Sequence, residues 1–166
     1  SQKQSGLVID EFAPEKRRTD VVWLDAEFIN RFNAGDIVKK IQNTVNEINK
    51  LYYGFDLLQS EFFQLARYDS KNSGYYMTHI DSDVFQKNLC RKLSFVVQLS
   101  DSWEYEGGHF YTSLLDKRED WSERIPEFFQ KGNIITFPSF LAHGVTPVTK
   151  GVRYSLTGWV LGTRFK

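Results

Sequence analysis

Apolar residues recur at helical spacing over Asp36–Tyr52. Ile37, Ile41, Val45, Ile48 and Tyr52 form one stripe, widened by Val38, Thr44 and Leu51. Lys39, Lys40, Asn43, Glu47 and Lys50 take the opposite side. That pattern predicts an amphipathic helix laid on a sheet, bracketed by Gly35 and Gly54 and doing no chemistry. From Leu57 onward the period changes to two. Leu93, Phe95, Val97 and Leu99 alternate with Ser94, Val96, Gln98 and Ser100. This predicts a strand over Arg91–Ser100 with one apolar face and one mixed face, the latter a candidate pocket lining.

Further strands are predicted around that one. Gly6–Asp10 reads as a short strand, Ala13–Asp20 as a charged loop, and Val21–Leu24 as a strand or buried turn. Glu61–Tyr68 is rich in aromatic residues, a turn cluster follows at Asp69–Gly74, and Tyr75–Asp81 reads as a strand. Glu106–Tyr111, with Gly107-Gly108, reads as a bulge or tight turn entering another strand. Leu114–Lys131 is charged and reads as a short helix or a loop over a pocket. Gly132–Phe137 and Val152–Leu161 complete the set, and Arg153, Ser155, Thr157 and Trp159 share one face of the last strand. The expected fold is mainly β with flanking helices, a jelly roll.

Composition narrows the class. The chain has 166 residues, expected to form one domain over 1–166. Its 14 Phe, 8 Tyr and 4 Trp favour sheet. Lys plus Arg equals Asp plus Glu, so no electrostatic footprint for nucleic acid or an anionic membrane is expected. No apolar run reaches membrane-spanning length, and Ser1–Arg18 does not read as a signal peptide. A single cysteine, Cys90, cannot form an internal disulfide, which suits a reducing compartment and gives a cytoplasmic expectation.

The candidate chemistry starts at His79-Ile80-Asp81. On an extended chain, spacing of two puts both side chains on one face. Two imidazoles and one carboxylate make the facial ligand set of non-haem Fe(II) oxygenases, with the remaining positions open. The chain has three histidines, so the second imidazole is His109 or His143. A 2-oxo acid can fill two open positions and dioxygen the last. The acid's far carboxylate then needs a cation, and Arg153 on a strand face with Ser155 and Thr157 is suited to it.

These stretches carry a family resemblance. Ala66-Arg67-Tyr68 through Tyr76–Asp81, Arg91–Ser100, Tyr105–Gly108, Gly132–Ser139, His143–Val148 and Gly151–Trp159 are together similar to the Fe(II)/2-oxoglutarate-dependent dioxygenases, specifically the prolyl 4-hydroxylase-like branch that includes PKHD-type hydroxylases. The resemblance covers roughly residues 60–162. It implies a cupin-like double-stranded β-helix, with His79, Asp81 and His143 as iron ligands. Arg153 then binds the C5 carboxylate of 2-oxoglutarate, while Tyr68, Gln98 and Thr157 line the co-substrate pocket. Gln98 stands where some relatives have a tyrosine, and Asn133 where an aspartate is common.

The implied cofactors are Fe(II), 2-oxoglutarate and dioxygen, with ascorbate as a further candidate. Asp81 marks a hydroxylase, because halogenating relatives lack this carboxylate. Nucleic-acid demethylases of the same superfamily carry a second arginine where this chain has Trp159. The expected reaction is hydroxylation of a prolyl residue in a peptide or protein. A free amino acid or another small metabolite is the rival substrate, and a non-catalytic metal-binding jelly roll the rival class. Leu114–Lys131 is expected to close over the substrate, with Trp103, Tyr105 and Trp121 as candidate contacts.

Overall fold

The period-two segments assemble into two antiparallel sheets in a computed structural model that describes residues 8–9, 15–61, 63–82, 89–114 and 117–164. Their strands are β1 (Val8–Ile9), β2 (Arg17–Arg18), β3 (Asp20–Leu24), β4 (Leu57–Ser60), β5 (Phe63–Asp69), β6 (Tyr75–His79) and β7 (Leu89–Gln98). Then come β8 (Tyr105–Gly107), β9 (Phe110–Leu114), β10 (Lys117–Asp120), β11 (Ile134–Pro138), β12 (His143–Val145) and β13 (Val148–Thr163). The helices are α1 (Ala26–Arg31), α2 (Gly35–Ile48) and α3 (Trp121–Arg124). The larger sheet runs β1-β3-β5-β13-β7-β11, with β4 and β8 pairing the two ends of β13. The smaller runs β10-β9-β12-β6-β2. This is the expected double-stranded β-helix with flanking helices. No helix among the described residues is long and apolar enough to cross a membrane.

The alternation in β7 and β13 splits the interior in two. Leu93, Phe95, Val97, Leu156 and Val160 pack with Phe63 against Val45 of α2. Gly158 belongs to this side, where a Cβ would meet the Phe95 ring at 2.2 Å. Only glycine lets that ring lie on the strand. On the other side, Ala66 and Tyr68 of the larger sheet meet Val145 of the smaller. Val96 and Phe137 likewise meet Phe110 and Phe129. The two sheets therefore face each other across a second, mixed interior.

Several expectations change. Residues 17–18 are a strand on the edge of the smaller sheet rather than a loop, with Arg17 opposite Tyr76. Helix α1 was not expected, because it buries no residue and so shows no apolar stripe. Its signals are local: Asp25 caps Phe28 N–H at 2.9 Å, Glu27 sits in the first turn and Arg31 in the last. The main helix does not bury the expected stripe to its end. Residues 49–53 form a wider, five-residue turn closed by Gly54. The added residue rotates the stripe, so Tyr53 turns inward while Leu51 and Tyr52 stay exposed. Strand β6 ends at His79, two residues before Asp81. Of Gly6–Asp10, residues 6, 7 and 10 lie outside the described residues.

Leu114–Lys131 holds the expected short helix, α3, but its described residues pack into the smaller sheet and the core rather than over the cavity. Strand β10 extends the smaller sheet beside β9, Trp121 donates to Thr112 Oγ1 at 2.9 Å, and Phe129 fills the core. Its described residues do not line the cavity below. Trp121 and Phe129 are used between the sheets, which leaves neither to fold over substrate.

Candidate active site

His79 closes β6 and His143 opens β12, directly opposite each other in the ladder. Their ring centroids lie 4.3 Å apart. Beyond His79 the chain leaves the smaller sheet. The N–H groups of Asp81 and Ser82 donate to Ser139 O at 3.0 and 2.9 Å, just past the end of β11. That crossing brings the Asp81 carboxylate back to the two rings. Oδ1 lies 3.4 Å from His79 Nε2, and Oδ2 lies 3.5 Å from His143 Nε2. One ligand atom from each of the three residues falls within 4.8 Å of the others.

The protonation states fit a metal. His79 Nδ1 lies 2.9 Å from Met77 O, and His143 Nδ1 2.8 Å from Leu141 O. A carbonyl only accepts, so each Nδ1 carries the hydrogen. A neutral ring then presents Nε2 as a lone pair. This is how metal-binding imidazoles are oriented. Burial pushes the His143 pKa below its ordinary value, with help from His79 and against the pull of Asp81 and the Leu141 carbonyl. Burial alone would push Asp81 up, but the His79 ring, His143 and the Ser94 hydroxyl together hold it well below the usual carboxylate range. Two lone pairs and a carboxylate converge on one point, and a divalent cation satisfies all three.

Ser94 and Ser139 support the carboxylate. Ser94 Oγ donates to Asp81 Oδ2 at 2.7 Å and lies 2.9 Å from Ser139 Oγ. Both serines are fully buried. Tyr76 stacks on the His79 ring, centroids 3.7 Å apart and planes 16° apart. Neither serine stood out in the sequence. The mixed face of β7 was the available signal for Ser94, and the end of the family-like stretch Gly132–Ser139 was the only one for Ser139.

The triad opens onto a cavity of about 210 Å³, whose wall includes Tyr68, Arg153, Ser155, Thr157 and Trp159 from the larger sheet. Arg153 is only 2% exposed. Its Nη2 donates to Gln98 Oε1 at 3.0 Å, and its guanidinium lies 5.3 Å from the Tyr68 ring centroid. Arg153 Nη1 and Gln98 Nε2 are buried without a protein partner. A buried cation held only by a neutral amide is costly until an anion joins it. The surroundings of Arg153 thus fit a carboxylate.

The structure therefore brings His79, Asp81, His143, Tyr68, Arg153 and Thr157 to one cavity. Gln98 touches Arg153 but is not part of the wall. His109 stands elsewhere, its Nδ1 3.2 Å from Asp120 Oδ2, and belongs to no ligand cluster among the described residues. Trp103 is exposed, and neither Tyr105 nor Trp121 lines the cavity. Trp23 and Arg17 line it instead, from an N-terminal stretch whose pattern pointed to no site.

A family model, the 2OG-Fe(II) oxygenase superfamily, matches residues 63–161. The chain belongs to this superfamily. A PKHD-type hydroxylase of Synechococcus sp. (strain CC9902) is 39% identical over 85 residues, which are 51% of this chain and 35% of that protein. The match thus spans about a third of that relative's length. Two solved structures show the same fold. A Pseudomonas putida prolyl-4-hydroxylase aligns with 96% of this chain and 78% of its own, at 23% identity and a TM-score of 0.65. A Trichoplax adhaerens prolyl hydroxylase, in complex with a hypoxia inducible factor oxygen degradation domain peptide fragment, covers 95% of this chain and 70% of its own, at 15% identity and a TM-score of 0.67.

Proposed function

We propose that this superfamily member is a Fe(II)- and 2-oxoglutarate-dependent oxygenase that hydroxylates a prolyl residue in a peptide or protein. One observation carries the enzyme class: a lone-pair triad and a buried arginine without an anionic partner share a single cavity. His79 Nε2, the Asp81 carboxylate and His143 Nε2 would hold the iron. Arg153 would hold the far carboxylate of 2-oxoglutarate, with Gln98 keeping the guanidinium in place and Tyr68 and Thr157 beside it. Iron bound there supplies dioxygen activation, coupled to conversion of 2-oxoglutarate to succinate and carbon dioxide.

The chain's own residues prepare that reaction. Ser94, itself in contact with the Ser139 hydroxyl, fixes one oxygen of Asp81, and the backbone carbonyls of Met77 and Leu141 fix the ring tautomers. Val96, Phe110 and Val145 line the cavity with apolar surface, which limits water beside the reacting centre.

The prolyl substrate rests on two supports. Trp23, Tyr76 and Trp159 give the cavity an aromatic wall suited to a flat, apolar ring. The structural neighbours named above are prolyl hydroxylases, one of them holding a peptide. The class is tested by adding Fe(II) and 2-oxoglutarate without oxygen and reading the weak visible metal-to-ligand absorption. The substrate is tested with oxygen and ascorbate, offering proline-containing peptides, their proline-to-alanine versions and free L-proline. Succinate coupled to hydroxyproline in the first set alone supports the reading. Equal succinate with all three and no hydroxyproline removes the prolyl substrate and leaves the oxygenase.

A further inference from the structure

Strand β2 contributes one residue to the cavity wall, Arg17. It lies outside the residues that match the superfamily, so the shared machinery does not account for it. Its surroundings repeat those of Arg153 group for group. Arg153 Nη2 donates to Gln98 Oε1 at 3.0 Å, and Arg17 Nη2 donates to Gln64 Oε1 at 2.8 Å. The Arg153 guanidinium lies 5.3 Å from the centroid of Tyr68, and that of Arg17 lies 4.5 Å from the centroid of Tyr76. Each also keeps one buried nitrogen without a partner, Nη1 in Arg153 and Nε in Arg17. The arginine ion pairs among the described residues belong to Arg67, Arg91, Arg118 and Arg124.

The unmet hydrogen-bonding demand is alike at both places, although Arg17 is half-buried where Arg153 is fully buried. A glutamine oxygen orients a guanidinium but does not neutralise it, and a ring face offers only a weak counter-potential. The remaining N–H groups fit a carboxylate, which takes two of them at once. One guanidinium also balances a carboxylate's single charge better than the larger charge of a phosphate. The place matters as much as the chemistry. Tyr76, beneath Arg17, is the ring that stacks on His79 at 3.7 Å. An anion held by Arg17 would therefore sit beside the metal-ligand side of the cavity.

We propose that Arg17, Gln64 and Tyr76 form a second carboxylate site, and that the molecule hydroxylated carries a carboxylate close to its reacting carbon. This rests on reading the cavity as an oxygenase site. The carboxylate has two sources: an acidic residue beside the target in a peptide, or the acid group of a free amino acid.

The test uses the full chain loaded with Zn(II) and 2-oxoglutarate, which does not turn over. It is titrated with L-proline and L-prolinamide, and with acetyl-Asp-Pro-Gly-amide and acetyl-Asn-Pro-Gly-amide. Calorimetry gives affinities, and heteronuclear NMR follows the Arg17 Nε–H resonance. At least one acid moves that resonance saturably and binds about 10-fold or more tightly than its amide partner. The pair that shows the difference names the source. Arg17→Gln removes the acid-over-amide preference while 2-oxoglutarate affinity stays within about 2-fold, a selectivity that a purely structural role would not move. The site is overturned if neither acid outbinds its amide, or if Arg17→Gln weakens 2-oxoglutarate as much as Arg153→Leu does. Failure of the unaltered Zn(II)-loaded chain to bind 2-oxoglutarate removes the oxygenase reading, and this inference with it.

Discussion

Strands β7 and β13 have two faces with opposite characters. Toward α2 they show Leu93, Phe95, Val97, Leu156, Gly158 and Val160, a surface without a polar side chain. Toward the smaller sheet they show Ser94, Gln98, Arg153, Ser155, Thr157 and Trp159. Three of the latter, Gln98, Arg153 and Trp159, each bury a nitrogen that has no protein partner. The first face satisfies itself and makes stability. The second keeps donors buried and unpaired, an arrangement that native structures hold where a ligand completes it. Substitutions on the first face should therefore act on folding, and those on the second on binding.

The largest effect is expected at the triad. His79→Ala, Asp81→Ala and His143→Ala should each lose measurable Fe(II) binding in anaerobic calorimetry. His109→Ala should keep it, because that ring pairs with Asp120. Abolished binding in His109→Ala with retained binding in His143→Ala would falsify the ligand set.

Next comes Phe95→Ala on the helix side. Its ring packs edge-on against Phe63, centroids 5.6 Å apart, and covers Gly158. Truncating a buried phenylalanine costs about 3–5 kcal/mol. Urea unfolding should show that loss, with metal affinity unchanged in the fraction that stays folded.

Arg153→Leu sharpens the contrast. Removing the partner of a buried carboxylate costs about 2–5 kcal/mol, or roughly 30- to 4000-fold in 2-oxoglutarate affinity. The unfolding midpoint without ligand should hold or rise, since a buried charge with no counter-ion is removed. A midpoint that falls as far as that of Phe95→Ala would erase the distinction between the faces.

Ser94→Ala is the smallest of the four. Losing a residue that supports a metal ligand costs about 10- to 100-fold in metal affinity. Fe(II) titration should show it. Lower stability with unchanged Fe(II) affinity would make Ser94 a packing residue instead.

Legibility in the sequence followed the range of the forces involved. The mixed face of β7 and the shared face of Arg153, Ser155 and Thr157 were readable because side-chain alternation is set by each strand's own backbone. In Leu114–Lys131 the expected short helix is present, but the strand β10 was missed, because charge and aromatic content say nothing about which sheet edge a strand joins. Helix α1 was invisible to periodicity because it buries nothing, although its capping residues were there to find.

The sequence by itself determined the strand-rich class, the two-sided character of β7 and β13, the His79-x-Asp81 spacing and the placement of Arg153 on a polar strand face. These are properties of neighbours along the chain. Its local pattern left the second imidazole open between His109 and His143, and the spacing to Arg153 together with the family resemblance favoured His143. Tertiary structure sets His143 opposite His79, ties Asp81 to Ser139, buries Ser94 beneath the carboxylate and brings Arg17 to the cavity. Each of these depends on pairing register between strands far apart in the chain. Register is chosen by packing across the whole sheet, and no local period encodes it.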